Sequence, residues 1–205
     1  MKLVRLAGFT SLILLAGLAC VKAVQPSIPD TYNLSAKERV GLALRVKSNP
    51  VKLTGNECAV VETNKGSFTF ELYSNDAPNT VRNFIRLADA GFYDGLIWHR
   101  YEPGFVIQGG DPLGTGYGGP GYTVDYEESG RSHIKGAVGM ARGPDRNSAS
   151  CQFYICLEPA PNLDGNYCVF GQVIEGMDVV MRLRNGNEEK GIPPDTIRRI
   201  SITHP

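Results

Sequence analysis

The chain has 205 residues, 42% of them hydrophobic and 20% charged, with 21 basic and 21 acidic side chains. That length accommodates one domain with a substantial core plus extensions. Balanced charge and the lack of a basic stripe argue against a nucleic-acid partner, and glycines clustered at 104–121 point to long loops rather than a helical bundle.

The first segment reads as a secretory signal, residues 1–23. Lys2 and Arg5 form a positive start, and Leu6 to Ala19 is apolar but too short to span a bilayer comfortably. Val21 to Ala23 offers small residues at cleavage spacing. Cleavage removes Lys2, Arg5 and Lys22 and no acid, leaving 18 basic and 21 acidic residues, a net charge of −3. The protein is therefore expected to be exported, to the periplasm or beyond. Leu18-Ala19-Cys20 is a second option, part of a bacterial lipoprotein signal, although Gly17 stands where that pattern usually has Leu. Membrane attachment is expected only if Cys20 carries lipid. Cys58, Cys151, Cys156 and Cys168 remain. None has the spacing of a zinc site or redox motif, and most sit in apolar runs, so free buried thiols are favoured over a bridge.

Residues 24–55 read as an N-terminal extension. Ser35 and Glu38 form a capping-box pattern ahead of a short helix from Ala36 to Val46, and Asn49-Pro50 ends it. From residue 56 to 205 the pattern is that of one domain. Cys58–Thr63 and Ser67–Tyr73 are strand patterns joined by a tight turn at Asn64-Lys65-Gly66. Pro78 opens a helix whose Val81, Phe84, Ile85 and Ala88 share one face, and Gly91 ends it. Then Pro103-Gly104 makes a turn, and Phe105 to Gln108 is a short buried strand of a hairpin carrying Arg100. Burying Arg and Gln costs free energy unless each finds a partner, so a structural pair is the plain reading of Arg100 and Gln108 taken alone.

Gly114 to Gly119 formally matches a dinucleotide fingerprint, but Pro120 and Gly121 bar the helix that should follow. A glycine loop beside a groove fits better. Further strands are expected at Gly136–Ala141, Gln152–Cys156 and Asn166–Ile174. A second, shorter helix is expected at Met177–Leu183, and a last strand at Thr196–Thr203. Periodicity alone supports an α+β or mostly-β domain of about eight strands and two helices.

The hairpin carries more than periodicity. His99-Arg100, Pro103-Gly104-Phe105 and Gln108-Gly109-Gly110-Asp111 resemble the signature of the cyclophilin family of peptidyl-prolyl isomerases. Gly139-Met140-Ala141, Ser150 to Ile155, Leu163-Asp164-Gly165 and Val169-Phe170-Gly171 follow in family order. The resemblance implies a closed antiparallel eight-stranded barrel capped by two helices. It implies rotation about Xaa-Pro bonds, with proline-containing polypeptides as partners and no cofactor or metal, in a monomer; joined to the export signal of residues 1–23, this makes a protein that assists folding outside the cytoplasm. It makes Arg100 the catalytic cation, with Phe105 and Gln108 beside it. Val106, Tyr154 and Leu163 complete the proline socket, and Ala141, Arg142, Gln152 and Tyr167 contact the peptide.

Several positions depart from the family pattern. Val106 stands for the usual Met, Arg142 for a frequent Asn, and Tyr167 for a frequent His. Asn162 replaces the Trp of cyclosporin-sensitive members, which implies isomerase activity with weak cyclosporin binding. The alternative is a cyclophilin-shaped binding module or holdase in which catalysis is vestigial. Strict alternation puts Val106 and Gln108 on one strand face and Phe105 on the other, so the resemblance requires a bulge or strong twist there. His99, His133 and His204 lack ligand spacing, and no Gly-x-Ser-x-Gly elbow is present.

Overall fold

A computed structural model of the chain describes residues 30–204. The signal segment and Cys20 lie outside the described residues.

Helix α1 (Ala36–Val46) opens on the Ser35–Glu38 capping box, with both reciprocal bonds present. It is fastened by Arg39, which is buried and donates to four main-chain carbonyls, those of Thr31, Tyr32, Leu34 and Phe92. Burial lowers its pKa, yet the guanidinium finds acceptors for its donors, as a buried cation must. The contact is close. A Cβ on Gly95 would lie 2.0 Å from the Tyr32 carbonyl oxygen, and the φ of +79° at Gly95 is one that side chains resist.

The domain is an eight-stranded antiparallel sheet. Strands β1 (Cys58–Thr63) and β2 (Gly66–Leu72) form the expected hairpin. Helix α2 (Pro78–Asp89) follows, then β3 (Arg100–Glu102), β4 (Val106–Gly109), β5 (Ala137–Met140), β6 (Phe153–Cys156), β7 (Val169–Glu175), helix α3 (Met177–Val180) and β8 (Ile197–Thr203). Neighbours run β3-β4-β6-β5-β7-β2-β1-β8.

The sheet curls but is open, which corrects the closed barrel. Its end strands β3 and β8 share no ladder. The chain just before each of them does meet, through a single bridge between Ile97 and Thr196 and the Trp98 N–H to Asp195 carbonyl bond of 2.9 Å. That bridge is antiparallel, so past it β3 and β8 run away from each other and the seam is not extended.

The concave face packs on α2. Phe84 sits among Phe70, Tyr93, Phe153 and Phe170, with ring centroids 5.3–5.6 Å away, in the range where aromatic pairs attract. Val81, Phe84, Ile85 and Ala88 are all buried. The second helix is shorter than its pattern, because after Val180 the chain tightens into i→i+3 turns that carry Leu183 into the core. In the last strand Ile197, Ile200 and Ile202 do not keep an even alternation, and this has a cause as well. β8 bulges against β1, where Glu62 pairs with Arg199 but Thr63 with Ile197, so Ile197 and Ile200 both point inward.

Candidate active site

Two strands at one end of the sheet divide their residues between its faces. In β4 and β6, Ile107, Phe153 and Ile155 belong to the main core. The alternate residues Val106, Tyr154 and Cys156 belong to a small apolar cluster on the opposite face, with Phe105, Ala141, Leu163 and Tyr167 packed around it. There Arg100, Phe105, Val106, Gln108, Ala141, Arg142, Tyr154, Leu163 and Tyr167 line one cavity of about 260 Å³. Gln152 is in the adjoining cavity of about 480 Å³, which shares Gln108, Ala141 and Arg142 with the first and is bordered by Gly116 to Gly118. A larger hollow of about 540 Å³ between α2 and β8 is lined by Asp30, Asp89, Asp94 and Arg199 and offers no comparable apolar socket.

No bulge is needed to bring Phe105 in, which corrects the sequence expectation. β4 begins at Val106, and its ladders to β3 and β6 run without a register shift. Phe105 belongs to the preceding turn, where its N–H donates to the Glu102 carbonyl at 3.0 Å and its carbonyl accepts from Leu157 at 2.8 Å. Outside the strand it escapes the alternation rule. Gly104 has φ +70°, and a Cβ there would meet nothing, so the turn needs glycine for its backbone conformation and not for space.

A polar chain runs along the rim. Arg100 and Gln108 are register partners, and Arg100 Nη1 donates to Gln108 Oε1 at 3.4 Å. Gln108 Nε2 donates to Gln152 Oε1 at 2.9 Å, and Gln152 Nε2 donates to the carbonyls of Gly116 and Gly118. The Gln108 amide is thereby oriented by partners on both sides. Arg100 also meets Glu102 at 3.4 Å, but both side chains are about half exposed, so this pair holds the guanidinium only loosely. The site thus combines a solvent-facing cation, an oriented amide and an apolar socket. No cluster of three or more His, Cys, Asp or Glu residues arranged for a metal occurs among the described residues.

The family profile described as "Cyclophilin type peptidyl-prolyl cis-trans isomerase/CLD" matches residues 58–204. The chain belongs to the cyclophilin family. Among its relatives, a peptidyl-prolyl cis-trans isomerase of Synechococcus elongatus is 50% identical over 131 residues, covering 63% of this chain and 90% of that one. Peptidyl-prolyl cis-trans isomerase B of Bacillus subtilis is 48% identical over 125 residues, covering 60% and 87%. A crystal structure of a Cryptosporidium parvum cyclophilin-type isomerase superposes with a TM-score of 0.66 at 33% identity, over 72% of this chain and 97% of that one. The same Cryptosporidium protein was also solved in the presence of the dipeptide Ala-Pro. This chain is a cyclophilin-type peptidyl-prolyl cis-trans isomerase, and the substrates of the family are proline-containing peptides.

In this cyclophilin Asn162 is exposed and lines neither cavity. His99 is largely buried beside the rim with neither ring nitrogen partnered by a hydrogen bond, and burial lowers its pKa. The residue that sequence reasoning missed is His133, which ligand spacing had set aside. Its side chain is fully buried. Nδ1 lies 2.8 Å from Asp164 Oδ1, Nε2 lies 2.8 Å from the Tyr154 hydroxyl, and its backbone N–H donates to the same Asp164 oxygen at 2.7 Å. Asp164 has its pKa lowered by those two bonds, the backbone one most. A carboxylate at Nδ1 fixes the proton there, so Nε2 accepts from the tyrosine. Burial raises the Tyr154 hydroxyl far above its ordinary range, keeping it a donor. His133 therefore ties the β6 wall of the socket to the loop that carries Leu163. The available signal was Tyr154 itself, because a hydroxyl at an apolar wall position needs a buried acceptor.

Proposed function

We propose that this isomerase works outside the cytoplasm as a monomer, accelerating Xaa-Pro rotation in exported polypeptides as they fold. Export is supported by the charge and apolar pattern of residues 1–23. The substrate proline sits in the socket of Phe105, Val106, Tyr154 and Leu163, with Arg100 at its rim.

The chemistry needs no nucleophile. Rotating the amide crosses a barrier of about 18–20 kcal/mol because resonance makes the C–N bond partly double. At the top of that barrier resonance is lost and the prolyl nitrogen becomes pyramidal and basic. A guanidinium that donates toward this nitrogen stabilises the rotated state and not the planar one, which is what raises a rate. A guanidinium presents a rigid, planar fork of donors, and Arg100 carries it at the rim of the socket. Gln108 holds the peptide or the guanidinium, through its bonds to Arg100 and Gln152. Ala141, Arg142, Gln152 and Tyr167 contact the peptide chain on either side of the proline.

The observation that carries the reading is that nine residues from five segments of the chain, Arg100 among them, line one cavity. The test is the cis-to-trans rate of an Xaa-Pro peptide with Arg100→Ala. A catalyst loses about a hundredfold in kcat, the scale for one transition-state donor, with little change in peptide affinity. A variant that loses affinity instead and keeps its rate identifies a clamp, and the role of Arg100 is then wrong. Mass spectrometry of the mature N-terminus, together with fractionation, decides export; full-length protein in the cytoplasm refutes it.

A further inference from the structure

Arg142 stands out among the charges of the site. It stands two residues after the end of β5 and lines both cavities. Its guanidinium carbon sits 4.6 Å from the centre of the Tyr167 ring. Nε and Nη2 donate to the Asn166 carbonyl at 3.1 and 2.9 Å, and Nη1 donates to the carbonyls of Gly143 and Pro144 at 2.9 and 3.3 Å. The charge is thus held by a ring and three carbonyls rather than waving in solvent. Yet it forms no ion pair with any carboxylate among the described residues, whereas Arg100 has Glu102 and Arg146 has Glu128. Carbonyl dipoles satisfy donors without cancelling a full charge. Two half-enclosed cavities therefore share a fixed positive charge that no carboxylate among the described residues pairs with.

We propose that Arg142 makes this groove select peptides that carry a carboxylate side chain close to the proline. The side chain that enters the second cavity, beyond Gln108 and Ala141, meets the guanidinium on its open side, and the remaining Nη2 hydrogen is free to donate. Asp or Glu gains there, Lys or Arg is repelled, and a neutral residue is indifferent. Tyr167 serves as the platform that keeps the guanidinium planar against the wall. This selectivity rests on the groove being the isomerase site.

The experiment compares proline peptides identical except for Glu, Gln or Lys, placed in turn at each of the three positions before the proline and at the one after it. Their kcat/KM is measured at low and high salt. At one position the full chain prefers Glu over Gln by about three- to fivefold at low salt, the scale of one partly exposed charge pair, and Lys falls below Gln. At about 1 M salt the preference drops below about twofold, since screening then acts within about 3 Å. In Arg142→Gln the Glu-to-Gln ratio falls to about one, whatever the absolute rate. In Arg142→Lys it stays above one. No Glu preference at any position in the natural chain overturns the proposal without recourse to a variant. A preference that survives Arg142→Gln overturns it too and moves the selection to Arg100. Absence of acceleration for every peptide is a different result, which removes the isomerase site and the selectivity together.

Discussion

Replacing His133 with alanine tests whether the socket is held from behind. The imidazole is fully buried and makes two 2.8 Å side-chain contacts, to Asp164 and to the Tyr154 hydroxyl. Losing it removes two hydrogen bonds, each with a net contribution of about 1 kcal/mol. It leaves the Tyr154 hydroxyl without an acceptor in a residue only 5% exposed, a further cost of about 1–3 kcal/mol. Incomplete collapse of the vacated space adds to this. The expected loss is roughly 3–5 kcal/mol, read from the urea midpoint at constant slope. Tyr154→Phe alone leaves only Nε2 without a donor and costs about 1–2 kcal/mol. In the double variant no hydroxyl is left to strand, so its cost falls short of the sum of the two by about 1–2 kcal/mol. The same variants raise KM for a proline peptide more than they lower kcat, because Tyr154 and Leu163 line the cavity and Arg100 is untouched. Additivity within about 0.5 kcal/mol, or unchanged KM in Tyr154→Phe, refutes the argument that His133 positions the wall.

Two further expectations concern stability. Glu57 is buried, and although burial alone pushes its pKa up, donors from Ser74 and from the Thr54 backbone and hydroxyl outweigh it and hold the group at about 2 against an ordinary 4.5. A depressed pKa means that the unfolded chain takes up the proton first. The contribution is present above pH 4.5 and lost as pH falls toward 2, a drop on the order of 1–3 kcal/mol in urea titrations that Glu57→Gln flattens. If the natural chain and the variant have parallel profiles, the assignment is wrong. Arg39→Ala removes a donor from four carbonyls, of which only that of Thr31 keeps another, from the Leu34 N–H, and should cost about 2–4 kcal/mol, with faster hydrogen exchange across residues 30–46. Unchanged exchange there refutes the anchoring role.

Much of this molecule could be read from the chain because its signals were local. The capping box at Ser35, the helix face of Val81, Phe84, Ile85 and Ala88, and the turn at Pro103-Gly104 each depend on a few neighbouring residues. The nine cavity residues needed the family resemblance, since they come from five segments between 100 and 167 that no periodicity connects. What could not be read was pairwise and distant. Closure of the sheet depends on whether β3 and β8 form a ladder, and both ends look like ordinary strands in sequence. The bulge in β8 shows only as a missed alternation. His133 carries no spacing signal, because its partners lie 21 and 31 residues away.

The placement of Phe105 shows why such errors matter for function. Treated as a strand residue, it must face away from Val106, and the socket then needs a distortion to work. In the structure the strand begins one residue later, so the backbone of Phe105 is free of the pleat. Its carbonyl instead accepts from Leu157, just after β6, the strand that supplies Tyr154. The turn glycine, the short β3 and the late start of β4 together aim an aromatic ring into a cavity whose strand residues Val106, Gln108 and Tyr154 follow strict alternation. The core side of the same strands, through Ile107, Phe153 and Ile155, is buried in the main core, where Phe153 meets Phe84 of α2. Packing on one face of the sheet therefore holds the socket on the other, and substitutions in that core should alter peptide binding without touching the groove.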